Sequence, residues 1–254
     1  MSLLEGKVVV VTGASRGQGL EEVQHLTAEG ATVVGTDWEV SDELRSSAAL
    51  VAEFDVSDLE GWTALAAQVS EQYGRVDGLV NNAAVPSREG LLDVDLATWD
   101  RTLRINLTGP LLAMQALVPL MPGAGSVVNV SSLAGLTGHR TTAYTASKWG
   151  LRGLSAVASN ELGPRGIRVN TILPGYVDTP LVRQNAAEFA TRSLTQIPLG
   201  RLGMVSDVAP LVAFLLSDGA SWISGAEISV DGGQHAQGGM KALVDPAAFL
   251  RPPD

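Results

Sequence analysis

Apolar and polar positions along the chain alternate between two kinds of run. Short β-branched runs read as strands, the first two of them buried: residues 7–12 (Lys-Val-Val-Val-Val-Thr), 31–36, 76–80, 126–130, 167–173 and 227–230. Between them lie longer stretches with apolar residues at helical spacing: residues 19–29, 59–72, 96–118, 144–162 and 205–216. In the first of these Leu20, Val23 and Leu26 share one face, and Gly30 closes the helix. Strand and helix in strict alternation predict an α/β fold, a doubly wound parallel sheet with helices on both faces, reached by right-handed crossovers. We read residues 1–254 as a single Rossmann-like domain, with looser segments at about 178–202 and 234–254. Pro246, Pro252 and Pro253 mark the second of these.

Composition narrows the function classes. The chain of 254 residues has no cysteine, which excludes disulfides, thiolate zinc sites and a cysteine nucleophile. His25, His139 and His235 show no metal-ligand spacing, so no metal is expected. A net charge of −10 repels phosphate backbones and argues against nucleic acid. No apolar run approaches a membrane span, so no membrane partner is expected. Residues 1–7 lack a basic region followed by an apolar stretch, which makes the cytoplasm the default expectation.

Two stretches carry candidate chemistry. The first is Thr12-Gly-Ala-Ser-Arg-Gly-Gln-Gly19, between a predicted strand and a predicted helix. Gly13, Gly17 and Gly19 permit a tight turn and let backbone N–H groups approach a pyrophosphate at the helix N-terminus, with Ser15, Arg16 and Gln18 between them. Asp37, at the end of the second strand, suits an adenosine ribose diol and repels a 2′-phosphate. The next residues, Trp38, Glu39 and Val40, are not basic, so NAD is favoured over NADP, with Arg16 as the opposing signal. Asp55 and Val56 stand where they meet the adenine or form a solvated turn.

The second stretch is Tyr144-Thr-Ala-Ser-Lys148. Tyr144 and Lys148 lie one helical turn apart on a common face. An ammonium within about 4–6 Å of a phenol lowers the phenol's pKa by roughly 1–3 units, toward general acid–base work near neutral pH. Ser131-Ser132 precedes it at the end of a predicted strand.

Taken in order, these residues resemble the classical short-chain dehydrogenase/reductase family over nearly the whole chain. The shared motifs are the glycine loop, Asn81-Asn-Ala-Ala84, Asn106 in Ile105-Asn-Leu-Thr-Gly109, Ser132, Tyr144 with Lys148, and Pro174-Gly175 continuing to Thr179. The resemblance is nearest in flavour to bacterial NAD-dependent secondary-alcohol and hydroxysteroid dehydrogenases. It implies that Tyr144 exchanges the proton at a substrate oxygen and that Ser132 hydrogen-bonds that oxygen. Lys148 would lower the tyrosine pKa and hold the nicotinamide ribose, and Asn106 would hold a relay water. It places Asn82, Ala83 and Ala84 on the adenosine side of the cofactor, and Pro174, Gly175, Val177 and Thr179 toward its nicotinamide end. It also implies a homo-oligomer, usually a tetramer, with residues 107–120, the Tyr144 helix and residues 225–233 at interfaces.

There are departures. Ala84 replaces the family's glycine, Gln18 an aliphatic residue, and Glu21-Glu22 small or apolar ones; negative charge in a helix's first turn would compete with a phosphate there. The serine-to-tyrosine interval is one residue short. The offset to Gly135 selects Ser132, whereas spacing alone selects Ser131.

Substrate contacts are expected from residues 87–92, 133–142 and 178–202, including Leu133, Leu136, His139, Tyr176, Leu181, Val182, Phe189, Arg183 and Arg192. These suit a mostly apolar small-molecule alcohol or ketone. Three functions remain in view: an NAD-dependent alcohol dehydrogenase or ketone reductase, an NADPH-dependent 3-oxoacyl-carrier-protein reductase, and a non-catalytic dinucleotide sensor. The acidic net charge disfavours the second, because an acidic carrier protein needs a basic docking patch. Retention of Ser132, Tyr144 and Lys148 disfavours the third.

Overall fold

The β-branched runs form one parallel sheet. The computed structural model describes residues 2–179, 194–238 and 241. Its strands are β1 (Val8–Thr12), β2 (Thr32–Asp37), β3 (Leu50–Glu53), β4 (Gly78–Asn81), β5 (Ser126–Val130), β6 (Arg168–Pro174) and β7 (Glu227–Val230). Their order is β3-β2-β1-β4-β5-β6-β7, every pairing parallel. The helices are α1 (Gly17–Ala28), α2 (Asp42–Ser47), α3 (Leu59–Tyr73), α4 (Leu96–Leu103), α5 (Gly109–Leu117), α6 (Thr142–Leu162) and α7 (Val205–Leu216).

Alternation within β1 divides the core. Val9 and Val11 face α1 and α7, packing with Val23, Leu26, Val208 and Val212. Val8 and Val10 face the other way, onto Trp62, Leu65, Leu117 and Ala158 of α3, α5 and α6. A strand covered on both faces must be apolar at every position, which is why β1 reads as an unbroken run. Strand order reverses between β1 and β4, and ligands of open parallel sheets bind at the carboxyl ends of the strands at such a switch.

The structure departs from the predicted elements in three places. α2 and β3 were not predicted: β3 is a short, half-exposed edge strand without a buried apolar run. The predicted helix over 96–118 is divided by a π-helical turn, Arg104–Thr108, with Asn106 fully buried within it. α1 starts at Gly17 rather than residue 19, so Glu21 and Glu22 lie in its second turn, and its first turn holds no acidic residue.

One core contact serves the site directly. The buried Trp62 packs edge-on to Phe54, ring centres 5.1 Å apart, and its Nε1 donates to the Val56 carbonyl at 2.7 Å. That bond holds the Asp55–Val56 turn at the end of β3.

Candidate active site

A cavity of about 470 Å³ opens at the switch between β1 and β4. Gly13, Arg16, Gly17, Gln18, Gly19, Asp37, Asp55, Val56, Asn82, Ala83, Ala84, Pro174, Gly175, Val177 and Thr179 line it, together with Ser132, Tyr144 and Lys148. Two of the expected site residues stand behind the wall. Ser15 is buried against Asp37, and Asn106 lies wholly inside. Trp38, Val85, Pro86, Arg101, Ile105 and Val130 also line the cavity and were not predicted, as does Ser131, the alternative that spacing alone selects. Trp38 follows Asp37 directly, and Arg101 and Ile105 precede Asn106 on the same helical path, so proximity to a motif was the available signal.

The glycine loop is held by its neighbours. Thr12 Oγ1 accepts from the N–H groups of Asn82 and Ala83, each at 3.0 Å. Asn82 Nδ2 donates back to the carbonyls of Thr12 at 3.0 Å and Gly13 at 3.2 Å. Gly13 has φ 64°, and a Cβ there would stand 2.7 Å from Ala83 Cα. A Cβ on Gly19 would stand 2.1 Å from the Gly13 carbonyl oxygen, so both positions need glycine. No side chain caps the N-terminus of α1. Its first N–H groups and the helix dipole are free to meet a phosphate. This donor set, with no acid in the first turn, fits a dinucleotide.

At the adenosine end, Asp37 is nearly buried and accepts from Ser15 N and Trp38 N, each at 2.9 Å. Arg16 stands 5.9 Å from the Trp38 ring centre and 3.8 Å from a Glu39 carboxylate oxygen. The guanidinium that opposed the NAD expectation is therefore paired with a carboxylate.

At the other end, α6 brings Tyr144 and Lys148 to the cavity and β5 delivers the two serines. Ser131 Oγ donates to the Lys148 carbonyl at 3.0 Å and is buried. Ser132 caps the short turn Leu133–Gly135, its Oγ accepting from Ala134 N at 3.1 Å, and its hydroxyl acts on the Tyr144 phenol, lowering its pKa against the effect of burial. The structure thus distinguishes serines that spacing left open: Ser132 faces Tyr144, and Ser131 ties β5 to α6.

Lys148 is 2% exposed, and its Nζ donates to the Val130 carbonyl at 2.8 Å. Nζ lies 5.6 Å from the Tyr144 ring centre. Burial pushes the Lys148 amine down to about 7. Burial also raises the Tyr144 phenol above its usual value, and the Ser132 hydroxyl opposes this. The expected lowering of the phenol by Lys148 is not the dominant effect in this geometry, because desolvation disfavours both charged forms.

Asn106 differs from expectation as well. Its Nδ2 donates to the Val85 carbonyl at 3.0 Å and Ser147 Oγ at 3.1 Å, and its Oδ1 accepts from Val85 N at 2.8 Å. Both amide hydrogens are committed to protein groups. The side chain links the loop after β4 to α6 instead of facing the cavity.

On the substrate side, Leu133 is buried and Leu136 and Tyr176 are partly exposed. His139 is half-buried, and burial lowers its pKa. Thr142 N donates to the Glu89 carbonyl at 3.0 Å, tying together two of the predicted substrate segments. Leu181, Val182, Arg183, Phe189 and Arg192 lie outside the described residues. Among the described residues no acidic or histidine cluster able to hold a metal occurs, and no helix is long and apolar enough to cross a membrane.

The chain is similar to known proteins over most of its length. A family model described as "Enoyl-(Acyl carrier protein) reductase" matches residues 13–235. The chain is 40% identical over 252 residues to trans-4-hydroxycyclohexanecarboxylate dehydrogenase of Sinomonas cyclohexanicum, covering 92% of this chain and 95% of that protein. The chain belongs to the short-chain dehydrogenase/reductase family. It is also 37% identical over 243 residues to a 3-oxoacyl-[acyl-carrier-protein] reductase of Thermotoga maritima, covering 91% of this chain and 98% of that protein. The crystal structure of levodione reductase superposes with a TM-score of 0.87 at 32% identity, covering 92% of this chain and 99% of that one. Membership makes the chain an oxidoreductase of a family that uses a nicotinamide cofactor.

Proposed function

We propose that the protein is an NAD-dependent dehydrogenase or ketone reductase that interconverts a secondary alcohol and its ketone. The observation that carries this reading is the meeting of Ser132, Tyr144 and Lys148 in the same cavity as the uncapped α1 N-terminus and Asp37. In use, the nicotinamide supplies or accepts the hydride at the substrate carbon. Tyr144 gives a proton to the carbonyl oxygen in reduction and takes one from the hydroxyl in oxidation. Ser132 donates a hydrogen bond to that oxygen as charge develops on it. Lys148, charged or neutral near its pKa of about 7, stabilises the phenolate when protonated and holds the nicotinamide ribose. Because the Asn106 amide is committed, we assign any relay water to the backbone at the π-helical turn.

Asp37 favours NAD by offering its carboxylate to a ribose diol, and the pairing of Arg16 with Glu39 weakens the opposing signal. Trans-4-hydroxycyclohexanecarboxylate, the substrate in the first relative's name, is a ring-borne secondary alcohol and belongs in the first substrate panel. A soluble cytoplasmic homotetramer is part of this proposal, on family resemblance.

Arg16 and the similarity to a 3-oxoacyl-carrier-protein reductase favour a second reading, NADPH-dependent reduction of a carrier-bound ketone. The net charge of −10 opposes docking of an acidic carrier. Fluorescence titration with NADH and NADPH, followed by turnover on secondary alcohols and ketones, tests both. NADH preference with turnover lost in Tyr144→Phe is the expected result, and NADPH preference moves the assignment to the second reading.

A further inference from the structure

Glu22, a buried acid in the dinucleotide half, has no role in the site as described so far. Glu22 is wholly buried, with its Oε2 lacking any hydrogen-bond partner. Its Oε1 accepts from Gln18 Nε2 at 3.0 Å, and the same nitrogen lies 3.4 Å from Asn82 Oδ1. Asn82 in turn donates to the Thr12 and Gly13 carbonyls, so a continuous polar chain runs from Glu22 to the glycine loop. Gln18, Asn82 and Gly13 all line the cavity.

We propose that Glu22 is a positioning residue for dinucleotide binding: neutral, it holds Gln18 and Asn82 in the arrangement that receives the pyrophosphate, and ionised, it sets a negative charge behind that loop and weakens the bound dinucleotide. The inference rests on the dinucleotide site proposed above.

An uncharged carboxyl is what this location requires. Oε2 is buried with no hydrogen-bond partner from the protein, and an unpaired buried carboxylate is expensive. Burial raises the Glu22 carboxyl to about 8, opposed by the Gln18 amide. The elements packed against α1 include α7, α2, β2 and β1. Their charged residues are Asp207 on α7, Asp42, Glu43 and Arg45 on α2, and Asp37 on β2, while β1 has none. α1 itself adds Glu21 and His25. None of these contributes to the Glu22 shift. The sign follows: a bound dianionic pyrophosphate disfavours ionised Glu22, so binding draws a proton in and affinity falls as pH rises through about 8.

ADP-ribose is the probe, because its pyrophosphate keeps a constant charge over the relevant range. Its dissociation constant is measured for wild type, Glu22→Gln and Glu22→Leu from about pH 6.5 to about pH 9.5. The readout is the ratio of wild type to variant, which cancels the titration of Lys148. For Glu22→Gln the expected ratio rises from near one at the acidic end by on the order of tenfold at the alkaline end, the scale for like charges about 10 Å apart at an effective dielectric of about 20; for Glu22→Leu, which also loses the Gln18 bond, it starts below one and rises by a similar factor. Glu22→Leu keeps the test open should the amide not be accommodated. ADP-ribose binding with a pH-independent ratio overturns this proposal alone. Absence of ADP-ribose binding to wild type at every pH overturns the dinucleotide reading with it.

Discussion

Lys148→Met should make the protein more stable while removing its activity. The amine is held to about 7 inside the protein against 10.5 for an ordinary lysine. At about 1.36 kcal/mol per pKa unit, that shift corresponds to roughly 4–5 kcal/mol of lost stability at pH values below both. The direction is set by which state binds the proton more tightly. Below about 7 the lysine is charged in the folded and unfolded chains alike, and the folded state bears the full cost of burying it. As pH rises through the folded pKa the folded state sheds its proton and the cost shrinks, vanishing above 10.5. Methionine fills the space without a charge, but it leaves the Val130 carbonyl without its 2.8 Å donor. An unsatisfied buried carbonyl costs about 1–3 kcal/mol, which leaves a net gain of about 2 kcal/mol. For a chain of this size that is a rise in Tm of roughly 4–8 °C. Thermal unfolding of both proteins at pH 6, 8 and 10.5 is the assay, with turnover measured alongside. The gain should be largest at pH 6 and reversed at 10.5, where the charge cost has vanished and the unsatisfied Val130 carbonyl remains. A Tm difference independent of pH, or a variant less stable than wild type at pH 6, would refute the reasoning.

Other outcomes follow from the same geometry. Tyr144→Phe should keep cofactor affinity and lose on the order of 10²–10⁴ in kcat, the usual worth of a positioned acid–base group; retained turnover would remove Tyr144 from the proton path. Because burial raises the Tyr144 phenol, alcohol oxidation, which needs the phenolate, should accelerate as pH rises above neutrality, and a flat oxidative pH profile would contradict this. Ser132→Ala should lower kcat by about 10²-fold, whereas Ser131→Ala should cost about 1 kcal/mol of stability through the lost bond to Lys148 and fall mainly on Tm. A larger kcat loss in Ser131→Ala would return the assignment to Ser131. Asp37→Ala should cost about 10–100-fold in NADH affinity, the scale of hydrogen bonds to a charged group, and leave NADPH affinity less affected; equal losses for both would show that Asp37 serves only the backbone of Ser15 and Trp38.

Much of the fold was legible in the chain because a doubly wound sheet writes itself in one dimension. Strands buried on both faces must be continuously apolar, so β1 and β5 stood out, and the glycine loop was identifiable from its place between β1 and α1. β3, at the sheet edge and half-exposed, carries no such demand and left no pattern. Tyr144 and Lys148 were readable as a pair because helical spacing alone puts them on one face.

Tertiary structure decided what depends on distant segments. Whether Ser131 or Ser132 meets the phenol is settled by how β5 ends against α6, and a one-residue shift along a strand end turns a side chain to the opposite face. The Asn106 side chain is drawn inward by Val85 and Ser147, partners from separate segments. Glu22 reads as a polar helix residue in sequence, yet packing removes it from water, and its carboxyl moves to about 8. Local sequence determines periodicity and the chemical groups available. Burial, and with it the pKa of Lys148, Tyr144 and Glu22, is a property of everything packed around them.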